Sequence, residues 1–169
     1  MDSTTIAYDV ARWTAFFSAE TSASAALIGL LFVAISINLQ QIVKNPLLTA
    51  RSLKALVTLS AILLLSFLCL VPGQSRAALG SEIAVVGVLF WAFTILLQHR
   101  SVHNNPYIGR GARTFHMVLA HASALPIILA ARSLLVGHGL GLYWLVAGTL
   151  LSFLSALLDA WVLLIEIQR

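Results

Sequence analysis

The chain has 169 residues, of which 60% are hydrophobic and only 9% are Asp, Glu, Lys or Arg. Soluble domains carry about 25% charged residues, and the mean hydropathy of +0.96 points the same way. Too few polar side chains exist to cover a water-facing surface, which excludes a soluble enzyme and a disordered protein, and the net charge of +4 is scattered singly rather than in a block that would hold nucleic acid.

The N-terminus reads as an interfacial segment. Its first 20 residues hold Asp2, Asp9 and Glu20 against the single Arg12, unlike the basic start of a cleavable signal peptide. Ile6, Val10, Trp13 and Phe17 recur at helical spacing. A short interfacial helix is therefore expected, with Trp13 at headgroup depth.

A helix needs about 20 mostly apolar residues to cross the hydrocarbon core. Charge is absent from Thr21 to Val43 and from Ala55 to Ser75. Ala77 to Gln98 holds only Glu82, Thr114 to Ala131 holds two histidines, and Tyr143 to Ile165 holds only Asp159. The expected fold is all-α: one transmembrane helical domain over 1–169, with five spans at about 18–43, 53–72, 78–98, 114–136 and 141–167. The runs are continuous and Leu/Ala-rich, unlike barrel strands of about 10 alternating residues. Asn45-Pro46, Pro72-Gly73, Asn104-Asn105-Pro106 and the glycines around His138 mark the turns. Cys69, the single cysteine, excludes a disulfide framework within one chain and reads as a small buried hydrophobe.

Basic residues set the orientation. Lys44, Arg51, Lys54, Arg100, Arg110, Arg113 and Arg169 fall on one side, against Arg12, Arg76 and Arg132 on the other. The positive-inside rule then places the N-terminus outside and the C-terminus in the cytoplasm.

Two stretches carry a resemblance: Trp13 to Ile42, WTAFFSAETSASAALIGLLFVAISINLQQI, and Leu70 to Glu82, LVPGQSRAALGSE. Together they resemble a family of small, uncharacterised bacterial integral membrane proteins, some members of which are named as modulators of the membrane protease FtsH. The match spans roughly the first half of the chain. It implies a multi-pass protein of the bacterial inner (plasma) membrane.

Stripes of small residues run along three spans. The first has Ser22, Ala25, Ala26, Gly29, Ser36 and Gln40 on one face, and the third has Gly80, Ala84, Gly87, Trp91, Thr94 and Gln98. The fifth has Gly141, Gly148, Ser152, Ser155, Asp159 and Glu166. Such stripes let helix backbones approach closely. The other reading is an aqueous path, for which the fifth stripe is the candidate because it ends in two carboxylates.

Ionisable groups inside the spans carry the functional expectations. Asp159 lies ~9 Å inside the cytoplasmic end of the fifth span and His121 ~10 Å inside the fourth, at 1.5 Å rise per residue. An Asp there costs up to about 3 kcal/mol unless paired or wet. A His121–Asp159 pair is expected, either as a proton- or cation-handling site or as an interhelical hydrogen bond. Near the outer face, Glu20, Glu82 and Arg132 share a depth and form a candidate charge cluster. Pro126 falls mid-way along the fourth span, as a static kink or a hinge.

Catalytic motifs are thin. The sequence has no His-Glu-x-x-His, Gly-x-Ser-x-Gly or phosphate-gripping pattern. No enzyme activity, metal site or cofactor is expected. The leading expectation is a homo-oligomeric channel or transporter for an ion, proton or small solute. Its path would run along Gly148, Ser152, Ser155, Asp159 and Glu166, with His121 tuning Asp159. Ser22, Ala26, Gly29 and Gly87 are the expected packing positions. The alternative is a non-catalytic accessory or regulatory subunit of a membrane complex or membrane protease.

Overall fold

The computed structural model describes residues 7–103 and 110–167, with side-chain surroundings described for all of these but 98–103, 110, 112–113, 115–116 and 164–167. Its elements are helical. A 3-10 turn, Val10–Trp13, leads directly into α1, Thr14–Ile37. Then follow α2, Leu39–Lys44; α3, Pro46–Leu70; α4, Arg76–His103; α5, Arg110–Val136; and α6, Leu142–Ile167. Among the described residues, five helical segments are long and apolar enough to cross a bilayer. The chain is a polytopic membrane protein.

The first span divides where the sequence suggested continuity. Asn38 has φ −107° and ψ 16°, outside helical geometry, and its side-chain amide donates to the Ala34 carbonyl at 3.0 Å. That bond competes with the next helical turn, so the short α2 forms separately. Of the expected N-terminal helix, Ile6 lies outside the described residues, and Val10–Trp13 form a single 3-10 turn fused to α1. The second span starts earlier than its charge-free run. Asn45 accepts from the Leu47 amide at 3.0 Å and Pro46 occupies the first helical position, a favoured start. Arg51 and Lys54 therefore lie on α3 rather than in a loop.

Helices α3, α4, α5 and α6 form a closed ring of neighbours, each packed on the next. Helix α1 leans on the outside of α3. Only 17% of its apolar stretch is buried, against 50% for α3, so α1 is the peripheral helix and α3 the central one. The exterior is apolar: Leu30, Phe32, Leu64, Val85, Leu96, Leu150 and Trp161 are exposed. The interior holds hydroxyls, including Thr58, Ser66, Thr94, Thr149, Ser152 and Ser155. A soluble bundle has the opposite arrangement. Hydrocarbon gives no hydrophobic drive between helices, so close packing and internal hydrogen bonds must hold them.

Ile127 is the clearest packing device. Its Cγ2 lies 2.9 Å from where a Cβ on Gly87 of α4 would sit, and its Cγ1 lies 2.6 Å from the equivalent point on Gly148 of α6. One side chain on α5 thus fills two glycine notches. Pro126, immediately before it, is buried in an unbroken helix.

The α5–α6 turn is tied to the N-terminal segment through Ser133. Its hydroxyl donates to the His138 carbonyl at 2.8 Å and accepts from the Gly141 amide at 2.9 Å. Tyr8 Oη lies 3.0 Å away from the same oxygen. Gly141 has φ +50°, and the next amide, Leu142, donates to the Ala7 carbonyl at 2.8 Å. A side chain at 141 would collide with Ala7 as well as strain the backbone.

Candidate functional site

Among the described residues, two charged levels occur inside the bundle. The first is Glu20, on the face of α1 that meets α3, and it is 5% exposed. Ser66 of α3 donates to its Oε2 at 2.7 Å. Thr149 of α6 also approaches the carboxyl, but its hydroxyl donates to the Val146 carbonyl at 3.1 Å. Oε1 is left buried without a hydrogen-bond partner. Among the described residues no cation pairs with Glu20.

The second level is an ion pair. Lys54 Nζ of α3 lies 2.9 Å from Asp159 Oδ2 of α6, and the two residues are 9% and 2% exposed. It is a close charge contact rather than an aligned hydrogen bond. Thr58 donates back to the Lys54 carbonyl at 2.8 Å and holds the helix turn there.

These levels are about 15 Å apart, because Thr149 and Asp159 are separated by 10 residues on α6 at a rise of about 1.5 Å each. The interior between them is packed: Ile62 and Leu65 of α3 are 1% and 0% exposed. Ser152 donates to the Gly148 carbonyl of its own helix at 2.8 Å, and Ser155 is buried. The Gly148/Ser152/Ser155 stripe therefore faces packed helix, not a water column within one chain. Gly148 belongs to the α5 notch.

Several expected partners do not meet. Asp159 pairs with Lys54, not with His121. His121 is exposed on α5, with Nδ1 2.8 Å from the Met117 carbonyl and its ring edge-on to Trp91 at 6.1 Å. It is turned toward α4, whereas Asp159 is turned toward α3. The outer cluster also separates. Glu20 faces α3 and α6, Glu82 accepts from the Gln74 amide, and Arg132 is exposed. The reason is topological: α1 packs on α3, while α5, which carries Arg132, packs between α4 and α6. Glu166 lies outside the described side chains.

The packing stripes divide in the same way. Gly80 and Gly87 are pressed against α5. Ser22, Ala26 and Gly29 are exposed, and a Cβ on Gly29 would meet nothing within 4 Å.

Beyond the Glu20 level, toward the N-terminal end of α1, lies a vestibule of about 540 Å³. Tyr8, Asp9, Thr14, Gln74 and Arg76 form its polar wall and Cys69 lines its base. The Arg76 guanidinium sits 5.5 Å over the Tyr8 ring, and Asp9 is paired with Arg12 at 3.2 Å. At the opposite half of the bundle α1 and α6 diverge, leaving an apolar groove of about 140 Å³ floored by Leu59 and Ile42.

Lys54, Ser66 and Thr149 are the site residues that sequence reasoning missed. Lys54 had a signal: an Asn45-Pro46 helix start places it two turns inside α3. Ser66 and Thr149 had none, since single hydroxyls in apolar runs are common. Compared with known proteins, the chain matches no family model, no curated protein and no solved structure.

Proposed function

We propose that this polytopic membrane protein is a transporter or channel for protons, with Glu20 as the carrier group. The observation that supports this reading is the buried Glu20 carboxyl with one unpartnered oxygen and, among the described residues, no cation beside it. A carboxylate left uncompensated in a membrane interior is strongly disfavoured, so it takes a proton or a cation. The surroundings suit a proton. Ser66 already donates to one oxygen, and the Thr149 hydroxyl, whose own proton goes to the Val146 carbonyl, is a group able to accept as well as donate. The packed interior of a single chain favours hopping of protons over an open ion channel. The Lys54–Asp159 pair is the second charged station on the same α3–α6 seam.

The outward stripe Ser22/Ala26/Gly29 supports assembly of copies through α1, because small residues exposed to lipid let a second helix approach. The same stripe supports the second reading, an accessory subunit docked on another membrane protein. The resemblance to bacterial inner-membrane proteins, including those named as FtsH modulators, belongs with that second reading.

The test is acid-driven flux into liposomes holding the purified protein, beside Glu20→Gln of matched fold and oligomeric state. The expected result is flux that Glu20→Gln abolishes. Absence of flux, or flux that survives the substitution, overturns the proton reading and turns attention to proteins that co-purify.

A further inference from the structure

We propose that the vestibule beneath the N-terminal segment is the port through which Glu20 exchanges its proton with one side of the membrane, and that Cys69 and Phe17 form its closed floor. The inference rests on the reading of Glu20 as a proton carrier, and adds to it the side and route of access.

Geometry carries the argument. Cys69 lines the base of the 540 Å³ vestibule and is 3% exposed. Ser66, three residues earlier on α3, holds Glu20 Oε2 at 2.7 Å. Residues three apart share a helical face, so less than one turn of α3, a rise of about 4.5 Å over three residues, separates the vestibule floor from the carboxyl level. Helix α1 repeats the arrangement: Thr14 is in the vestibule wall and Phe17, less than one turn deeper, is 0% exposed in the same apolar cluster as Cys69. In the other direction the buried Leu65, Ile62, Leu59 and Thr58 close the interior over most of the distance to Lys54 and Asp159. The barrier toward the vestibule is thus less than one turn thick, and the barrier toward the other end is about 15 Å. The polar wall of the vestibule admits water, and movement of two side chains opens the floor.

Cys69 is the chain's single cysteine, so the floor can be capped without engineering the protein. A charged methanethiosulfonate reagent, added to one face of proteoliposomes of sorted orientation, converts the thiol to a mixed disulfide and releases methanesulfinate. Two readouts follow on the same sample: the infrared carboxyl band that Glu20→Gln removes, and proton flux. The expected result has three parts. The reagent reacts from the vestibule side only, the Glu20 band follows the pH of that side, and capping Cys69 stops both the band response and most of the flux. In Cys69→Ala the reagent leaves both the band response and the flux as they were before its addition.

The alternatives are distinguishable. A Glu20 band that follows the opposite side, or that responds unchanged after Cys69 is capped, overturns the port while leaving the carrier reading intact. A reagent that fails to reach Cys69 while the band still follows the vestibule-side pH overturns the floor assignment. A band gated by Cys69 without any flux upholds the port and overturns translocation.

Discussion

Removing Lys54 should expose how the two halves of the bundle interior are balanced. The Lys54–Asp159 contact is 2.9 Å long, with side chains 11% and 3% exposed. At an effective dielectric constant of about 20, two unit charges at that distance attract by roughly 6 kcal/mol. Desolvation of both ions offsets much of this, so the pair as a whole contributes little net stability. Breaking it is another matter. Lys54→Met leaves Asp159 buried without a counter-charge, at a cost of about 3–5 kcal/mol. The paired replacement Lys54→Met with Asp159→Leu removes both charges and should recover most of the stability. The assay is reversible unfolding in mixed micelles of rising denaturing-detergent fraction, followed by helical circular dichroism. The two single variants and the double variant form a thermodynamic cycle. Coupling of about 2 kcal/mol or more is expected, whereas independent sites add to within about 0.5 kcal/mol. Additive effects would refute the pair. So would coupling of Asp159 to His121, since His121→Ala is expected to act independently of it.

Other substitutions test the packing and the ties. Gly148→Ala should destabilise the bundle by about 1–3 kcal/mol through overpacking, because the new methyl meets Ile127 at 2.6 Å and its backbone nitrogen at 3.1 Å; Ile127→Ala in the same chain should recover part of the loss in the same unfolding assay. Gly29→Leu should leave monomer unfolding unchanged, since nothing lies within 4 Å of that position, but should lower cross-linking between copies if α1 is the assembly face. Ser133→Ala should loosen the α5–α6 turn by about 1–3 kcal/mol, read as faster hydrogen exchange at the Gly141 and Leu142 amides, because both the Gly141 bond and the N-terminal tie pass through that hydroxyl.

How much was legible depends on the physical range of each signal. Membrane insertion acts on runs of about 20 residues, so span number survives any detail of packing. The charge-free runs of the first two spans and the Pro-Gly and Asn-Pro breaks sufficed for it. Helix boundaries were less legible, because they turn on single hydrogen bonds such as those of Asn38 and Asn45. Lys54 shows the consequence. Counted as a loop charge, it serves the orientation argument. Placed on α3 by its Asn45-Pro46 start, it becomes the partner of Asp159.

By itself the sequence determined an all-helical, lipid-facing chain with ionisable groups buried in its spans, because hydropathy is a sum over local composition. It also marked Asp159, Glu20 and Gly87 as positions needing a reason. Only the tertiary structure decided their partners. A helix carries a side chain every 100° of turn, and each of the five spans has several faces to offer. Which face meets which neighbour depends on the order of the helices around the ring, and that order is set by notches such as Gly87 and Gly148 closing on Ile127. With α3 at the centre and α1 outside it, Glu20 meets Ser66 and Asp159 meets Lys54, while His121 and Arg132 face away.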